Sequence, residues 1–394
     1  MRKYASCVKR WPLWASVVSA CLVVAVPVLA ATAGKLPPTP ADTSGANVKG
    51  AQQYLLAHLG IPKFVPEGPA FNIKKVTKPV WLLEAPANVA PDQQVAAGFI
   101  QAAKAAGVKY HVCLANGTPE GNALCLQEAT AQGAGSAVIW SQAINTILQP
   151  IRSAMKAGVK VVEGNASLRI GEPVNPNVAA EVSHDYYGAG EENGGYAAAA
   201  LGGAADALCI NIPDFVTGTA VCQGFTKILR QFVPGAKVKT VNIPAAGVNT
   251  EVGASVSQAV LSDPRLNFIM NAYDFTVPLV TTELHALGKA PSKMMVGGQN
   301  GTTQAIQAIK SGDYDVVSAG QNSFWWGWAF LDAGARAQVG AIGKTAVLTT
   351  PNELFTTQTM ASYSGPITFQ GSNQLYGLGN GSVYESGYKK LWKG

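Results

Sequence analysis

Between Val80 and Ser318 one phrase recurs: an apolar run of strand length, a polar loop, an apolar-periodic helix, then a glycine. The runs are VWLLEAP, YHVCLAN, AVIWSQ and KVVEGNA, followed by ALCINIPDF, KVKTVNIP, NFIMNAYDF, MMVGGQN and DVVSAGQN. They begin at roughly 20- to 30-residue intervals, the spacing of βαβ units in parallel sheets. Their nearly continuous apolar character fits strands covered by helices on both faces. The first helix shows the local logic: Pro91 and Asp92 open it, and Val95, Phe99, Ala102, Ala103 and Ala106 share one face. Gly107 closes it, as Gly133, Gly158, Gly288 and Gly312 close theirs. Val221, Phe225, Ile228, Leu229 and Phe232 form an equivalent stripe in the second series. An unmatched stretch near Val182–Tyr187 separates the two series. The expected class is therefore α/β, with two Rossmann-like lobes built on parallel sheets.

A chain of 394 residues exceeds what one hydrophobic core serves, which agrees with two lobes. The formal charge of +6 raises the question of a nucleic-acid partner. Residues 1–33 hold four of the basic residues (Arg2, Lys3, Lys9, Arg10) and no acid. Without them the balance is 25 basic against 23 acidic, and no Lys/Arg stripe remains to neutralise phosphates. No nucleic-acid partner is expected.

Those first residues read as an export signal. The basic start precedes the apolar run Trp11–Ala30 and the small residues Ala31-Thr32-Ala33, an A-x-A cleavage pattern. A membrane anchor is the competing reading, because the run approaches bilayer length; Pro12, Pro27 and the cleavage pattern favour removal. A lipid anchor at Cys21 is a second alternative, since VSAC resembles a lipobox, but the chain stays apolar from Leu22 to Ala30. The expected location is periplasmic or secreted. Four cysteines follow, Cys113, Cys125, Cys209 and Cys222, and four in an exported chain allow three connectivities. Cys113–Cys125 and Cys209–Cys222 are the expected pairs, each joining a strand to the helix after it. No C-x-x-C pair or histidine cluster suggests a metal, and no cofactor is expected.

Residues 34–78 form an N-terminal extension: a Pro/Ser/Thr tether, a helix over Val48–Leu59, and the irregular PKFVPEGPAFNIKK, expected outside the first lobe. Ligands of open parallel sheets bind beyond the carboxyl ends of the strands. In the first series that rule selects Glu84, Asn88, Asn116, Trp140 and Asn165. In the second it selects Asp214, Phe215, Tyr273, Asp274, Gln299, Asn300 and Gln321, with Trp325 from the following aromatic cluster FWWGW. Asp274 reads either as a ligand-orienting acid or as a helix cap. Gly188-Ala189-Gly190 with Gly194 has the wrong spacing for a dinucleotide loop and reads as a helix entry. Asp313 and Asp315 read as a solvated turn. There is no G-x-S-x-G elbow, Walker A lysine or H-E-x-x-H, so no catalytic residue is assigned.

The order of several short phrases resembles the type I periplasmic binding proteins, in particular the ribose/galactose-like solute-binding proteins of ABC importers. They are AAKAAGV (102–108), IRSAMKAGVKVV (151–162), SHDYYGAG (183–190), QGF (223–225), AYD (272–274), GGQNGT (297–302) and AGQ (319–321). The resemblance implies a ligand clamped between lobes joined by a three-segment hinge, with crossovers near His184, Gln321 and Thr349–Leu354. Lobe 1 is then 79–184 plus 322–350, and lobe 2 is 185–321 plus 351–394. It departs from the sugar binders where an arginine gives way to Val221 and where G-F-D-G gives way to Gly298-Gln299-Asn300-Gly301. Only Asp274 matches the family's second acid.

The expected function is a non-enzymatic, exported solute-binding protein. It would take a small neutral polar or aromatic-bearing molecule, with sugars the largest class, to an ABC transporter permease, acting as a monomer. A sensory role with a chemoreceptor or histidine kinase uses the same fold. A secreted α/β hydrolase is the third reading, and it lacks a nucleophile–base–acid set.

Overall fold

The computed structural model describes residues 36–85, 90–140, 142–165, 170–368, 376 and 383–394. The expected export signal, Cys21 and Asn88 lie outside them. Twelve strands among the described residues form two six-stranded sheets. The first sheet holds β1 (Val80–Glu84), β2 (Tyr110–Leu114), β3 (Ser136–Trp140), β4 (Lys160–Gly164), β5 (Ala180–His184) and β11 (Val347–Thr350). Their order is β11-β5-β4-β3-β1-β2, all parallel. The second holds β6 (Asp206–Asn211), β7 (Lys237–Asn242), β8 (Phe268–Asn271), β9 (Met295–Asn300), β10 (Asp315–Gly320) and β12 (Glu353–Thr356). Its order is β12-β10-β9-β8-β6-β7, with only β12 antiparallel to its neighbour. Every strand run read from the sequence is present.

Eight longer helices cover these sheets: α2 (Ala90–Ala106), α3 (Pro119–Ala131), α4 (Leu148–Lys156), α5 (Tyr186–Leu201), α6 (Val216–Phe232), α7 (Val248–Ser262), α8 (Val277–Ala286) and α9 (Thr303–Ser311). Before them comes α1 (Val48–His58); after them come α10 (Ser323–Val339), α11 (Thr357–Ala361) and α12 (Val383–Leu391). Side chains of β1 alternate across its sheet, Val80 and Leu82 entering one apolar core and Trp81 and Leu83 the other. The helical stripe Val221, Phe225, Ile228, Leu229 and Phe232 is buried as expected.

Each lobe contains one close helix crossing made possible by glycine. In lobe 1 a Cβ on Gly98 would meet the Phe324 carbonyl, and one on Gly327 would meet the Phe99 amide. In lobe 2 a Cβ on Gly190 would meet the Val221 carbonyl, and one on Gly224 the Tyr187 carbonyl. Of the glycines read from sequence as a helix entry, Gly188 stands at that entry over the Asp185 cap, while Gly190 and Gly194 lie further along α5, where they let backbones touch.

The chain passes between the sheets where the resemblance placed the crossovers: after His184 into α5, after Gly320 into α10, and between β11 and β12. One assignment needs correction. The C-terminal stretch was given whole to lobe 2. That holds for β12 and α11, but α12 packs on α10 of lobe 1. Trp392 stacks on Trp328 at 5.6 Å, and Tyr384 stacks on Trp325 at 5.0 Å. Tyr384, Tyr388 and Trp392 recur every fourth residue, so a single helix face covers the exposed side of α10. In the extension, the irregular stretch from Phe64 onward packs on lobe 1, as expected, while α1 sits on α5 of lobe 2. Both expected disulfides form, Cys113–Cys125 and Cys209–Cys222, each with Cα atoms 5.9 Å apart.

Candidate ligand-binding site

The carboxyl ends of the two sheets meet at the crossovers, and Tyr186 stands where they meet. Asp185 caps α5 by accepting the Gly188 amide, which fixes Tyr186 as its first residue. From this lobe 2 helix the Tyr186 hydroxyl donates to Asn165 Oδ1 of lobe 1 at 2.6 Å. Asn165 follows β4 with φ +63°, a left-handed conformation that asparagine tolerates better than most residues. Burial raises the Tyr186 pKa well above the usual tyrosine value, with Tyr273 of lobe 2 and, more weakly, Asp92 of lobe 1 adding to it. Groups from both lobes thus converge on this phenol.

In lobe 1, Trp140 ends β3 and donates its indole proton to Asp92 Oδ1 at 2.7 Å. Burial pushes the Asp92 carboxyl up to about 6 despite that bond. Glu84 ends the neighbouring strand β1 and is 5% exposed, and its backbone carbonyl accepts the Ala115 amide at 3.0 Å. Its pKa is raised, first by burial and then by Asp92. Trp140 meets Trp326 edge-on at 4.4 Å, and Trp326 in turn meets His184 at 5.7 Å. His184 Nδ1 lies 2.9 Å from the Thr350 carbonyl. A carbonyl only accepts, so Nδ1 carries the ring proton and Nε2 is a bare acceptor. That Nε2 is buried without a partner among the described residues. Burial holds the His184 pKa down at about 4, so the ring is neutral.

In lobe 2, Gln299 and Gln321 end β9 and follow β10, and the Gln299 amide donates to Gln321 Oε1 at 3.3 Å. Among the described residues Gln299 Oε1, like His184 Nε2, is a buried acceptor without a donor. Asn300 has φ +122°, and its carbonyl accepts the Gln321 amide and the Tyr376 hydroxyl. Tyr273 is fixed by a 2.6 Å bond between its hydroxyl and Thr217 Oγ1. It stacks on Phe275 at 5.5 Å and meets Phe215 edge-on at 5.7 Å. Phe215 and Phe275 are 47% and 50% exposed, an aromatic lip on lobe 2.

Three of the residues read from sequence have internal work. Asp274 accepts the Thr302 amide at 2.8 Å and the Ser318 hydroxyl at 3.1 Å. It therefore ties the loop after β8 to α9 and β10. Its own helix takes no side-chain cap from it, so the capping expectation is corrected. Burial raises its pKa to about 6. Asp214 accepts the Ala245 amide at 2.9 Å, joining two loops. Trp325 does not join the group around Tyr186; it lies between Tyr384 and Phe64. Asn116 sits exposed in the turn after β2, with φ +55°. Asp315 is also corrected: it is buried at the start of β10, which pushes it up to about 8, while Asp313 pairs with His285 at 3.0 Å.

Asp92, His184, Tyr186 and Trp326 were missed. Trp326 and Phe330 are one turn apart and face the sheet, whereas Trp325 and Trp328 face α12. The helical offset separates these faces, but the partner of each face is a long-range fact. Asp92 looks like an ordinary first-turn acid until the fold brings Trp140 to it.

Comparison with known proteins gives this fold and site a family. The periplasmic binding protein domain matches residues 90–342, more than half of the chain. The chain belongs to the periplasmic binding protein family, in its type I form. No curated protein sequence matches it. A periplasmic ribose ABC transporter from Conexibacter woesei superposes with TM-score 0.64 at 17% identity, covering 74% of this chain and 95% of that one. An ABC transporter solute-binding protein from Agrobacterium vitis, bound with α-D-tagatopyranose, gives 0.63 at 16%, covering 73% and 97%. One from Burkholderia graminis, in complex with D-arabinose, gives 0.62 at 19%, covering 73% and 97%. Likenesses at this identity establish the shared fold. Among the described residues no helix is long and apolar enough to cross a membrane.

Proposed function

We propose that this is an exported solute-binding protein that holds a small sugar-like molecule between its lobes and delivers it to an ABC transporter permease. The observation that carries the reading is a pair of buried acceptors without donors among the described residues, His184 Nε2 and Gln299 Oε1. Buried polar atoms without partners are costly, and a ligand rich in hydroxyl or N–H donors satisfies them. Trp140 and the lip of Phe215, Tyr273 and Phe275 add apolar faces, which suit a neutral polar or aromatic-bearing molecule. The sugars named for the similar structures support the same class.

Binding between lobes acts by differential contacts: the closed arrangement alone brings both sets of groups to the ligand. No bond is made or broken in this role. Export would remove the segment up to about residue 33, after the A-x-A pattern. The test is mass spectrometry on the protein recovered from its native compartment. The intact mass should start near Gly34, and denaturation should release a hydroxylated small molecule. A diacylglycerol mass on Cys21 would contradict the processing, and release of a peptide or lipid would contradict the ligand class.

A further inference from the structure

We propose that residues 36–79 act as a fourth strap of the hinge, anchored on both lobes and restraining how far the cleft opens. The proposal goes beyond ligand binding and holds for any ligand class.

The first anchor is on lobe 2. The Asn47 amide donates to the Phe232 carbonyl at 2.7 Å, and the Gly203 amide to the Asp42 carbonyl at 3.1 Å. Val48, Ala51 and Leu55 of α1 are buried, and Tyr54 packs on Phe232 with ring centres 5.8 Å apart. The seat is shaped to the strap. A Cβ on Gly203 would lie 2.2 Å from the Ser44 carbonyl, and one on Gly195 would lie 2.7 Å from the Tyr54 ring.

The second anchor is on lobe 1. Phe64 packs on Trp325 and meets Tyr388 edge-on at 4.9 Å. Glu67 accepts the Tyr388 hydroxyl at 2.6 Å, and the Pro69 carbonyl accepts Arg336 Nη1 at 2.5 Å. The Phe71 amide then donates to the Leu391 carbonyl at 2.8 Å, and that of Ile73 to the Trp392 carbonyl at 3.2 Å.

Between the anchors runs Leu59-Gly60-Ile61-Pro62-Lys63. It crosses beside the hinge itself. Phe64 touches Trp325, in the first turn after the second crossover. The link is short, five residues between α1 and Phe64, and Pro62 fixes its own φ. Any rotation of one lobe on the other must bend this link in addition to the three crossovers, or undock an anchor. The family match spans residues 90–342, and the strap lies outside it. By narrowing the unliganded ensemble it reduces the states a ligand must select against.

The test needs no ligand. Spin labels at Lys156→Cys in lobe 1 and Leu261→Cys in lobe 2, both exposed positions, report the interlobe distance distribution. One variant carries six Gly/Ser residues inserted between Ile61 and Pro62. A second, Gly203→Val, pushes the strap off its lobe 2 seat. Both should broaden the distribution toward longer distances, while hydrogen exchange shows α1 docked in the first and released in the second. Distributions that superimpose on wild type in both variants, with α1 released in Gly203→Val, would overturn the proposal.

Discussion

Tyr186, the first residue of a lobe 2 helix, donates its hydroxyl proton across the lobe boundary to Asn165 at 2.6 Å. The bond is buried and sits among the aromatic rings of His184 and Trp326. It ties the first residue of α5 to the residue that follows β4. Tyr186→Phe removes only the hydroxyl and leaves Asn165 short of a donor. The expected cost is about 1–3 kcal/mol in stability. Urea unfolding with an unchanged m-value would register it, and an unchanged midpoint would show that the bond is immaterial.

The disulfides brace each lobe separately, because neither joins the two sheets. Each closes a short loop, 12 and 13 residues in sequence separation, for which chain entropy gives about 3 kcal/mol. Replacing Cys113 and Cys125 together by serine should lower the lobe 1 transition and spare lobe 2 in calorimetric unfolding. Replacing Cys209 and Cys222 should do the reverse. A uniform shift of both lobes would mean that they unfold as one unit.

Much of this was legible in the sequence. The strand runs, the closing glycines, the three crossovers and both cysteine pairs are local signals, and each element appears where its period placed it. The site was legible only as far as strand ends locate it. Trp140 and Gln321 end apolar runs, which is why the strand-end rule selects them; Asp92 and His184 find their partners in Trp140 and Thr350, which lie far away in sequence. Asp274 ends a run just as Trp140 does. Sequence cannot show that Thr302 and Ser318 already occupy its carboxylate. Trp325 failed for a similar reason, since its covering residues come from the far C-terminus.

Two buried groups should give opposite pH dependences. Burial raises Glu192 to about 8, so between its ordinary value of 4.5 and 8 the folded chain binds more protons than the unfolded one. Stability falls across that window as pH rises. Burial lowers His184 from 6.5 to about 4, so its contribution is complete above 6.5 and is lost as pH falls toward 4. Glu192→Gln should therefore gain melting temperature relative to wild type at pH 8 and little at pH 5. His184→Gln should lose less between pH 7 and 4.5 than wild type does. Parallel curves for variant and wild type would contradict these assignments.

Asp332 holds the termini to lobe 1. It accepts Arg336 Nε at 2.5 Å and the Trp392 indole at 2.7 Å, all within a fully buried cluster. Asp332→Ala leaves the Arg336 charge buried without its carboxylate, a loss of about 3–5 kcal/mol. Limited proteolysis should then cut near α12 before it cuts either sheet. Wild-type resistance at that end would show that the aromatic stack alone suffices.

The central claim is that the ligand lies between the carboxyl ends of the two sheets, touched by Trp140 from one lobe and Gln321 from the other. Calorimetric titration of wild type, Trp140→Ala and Gln321→Ala with the compound recovered from the native protein tests it most directly. Losing a buried hydrogen-bonding partner costs about 1–3 kcal/mol, or roughly 5- to 150-fold in affinity. Gln321→Ala is expected to weaken binding within that range and Trp140→Ala to weaken it by removing the apolar face it offers, while circular dichroism and disulfides match wild type. Wild-type affinity in both variants would place the ligand elsewhere and contradict the account.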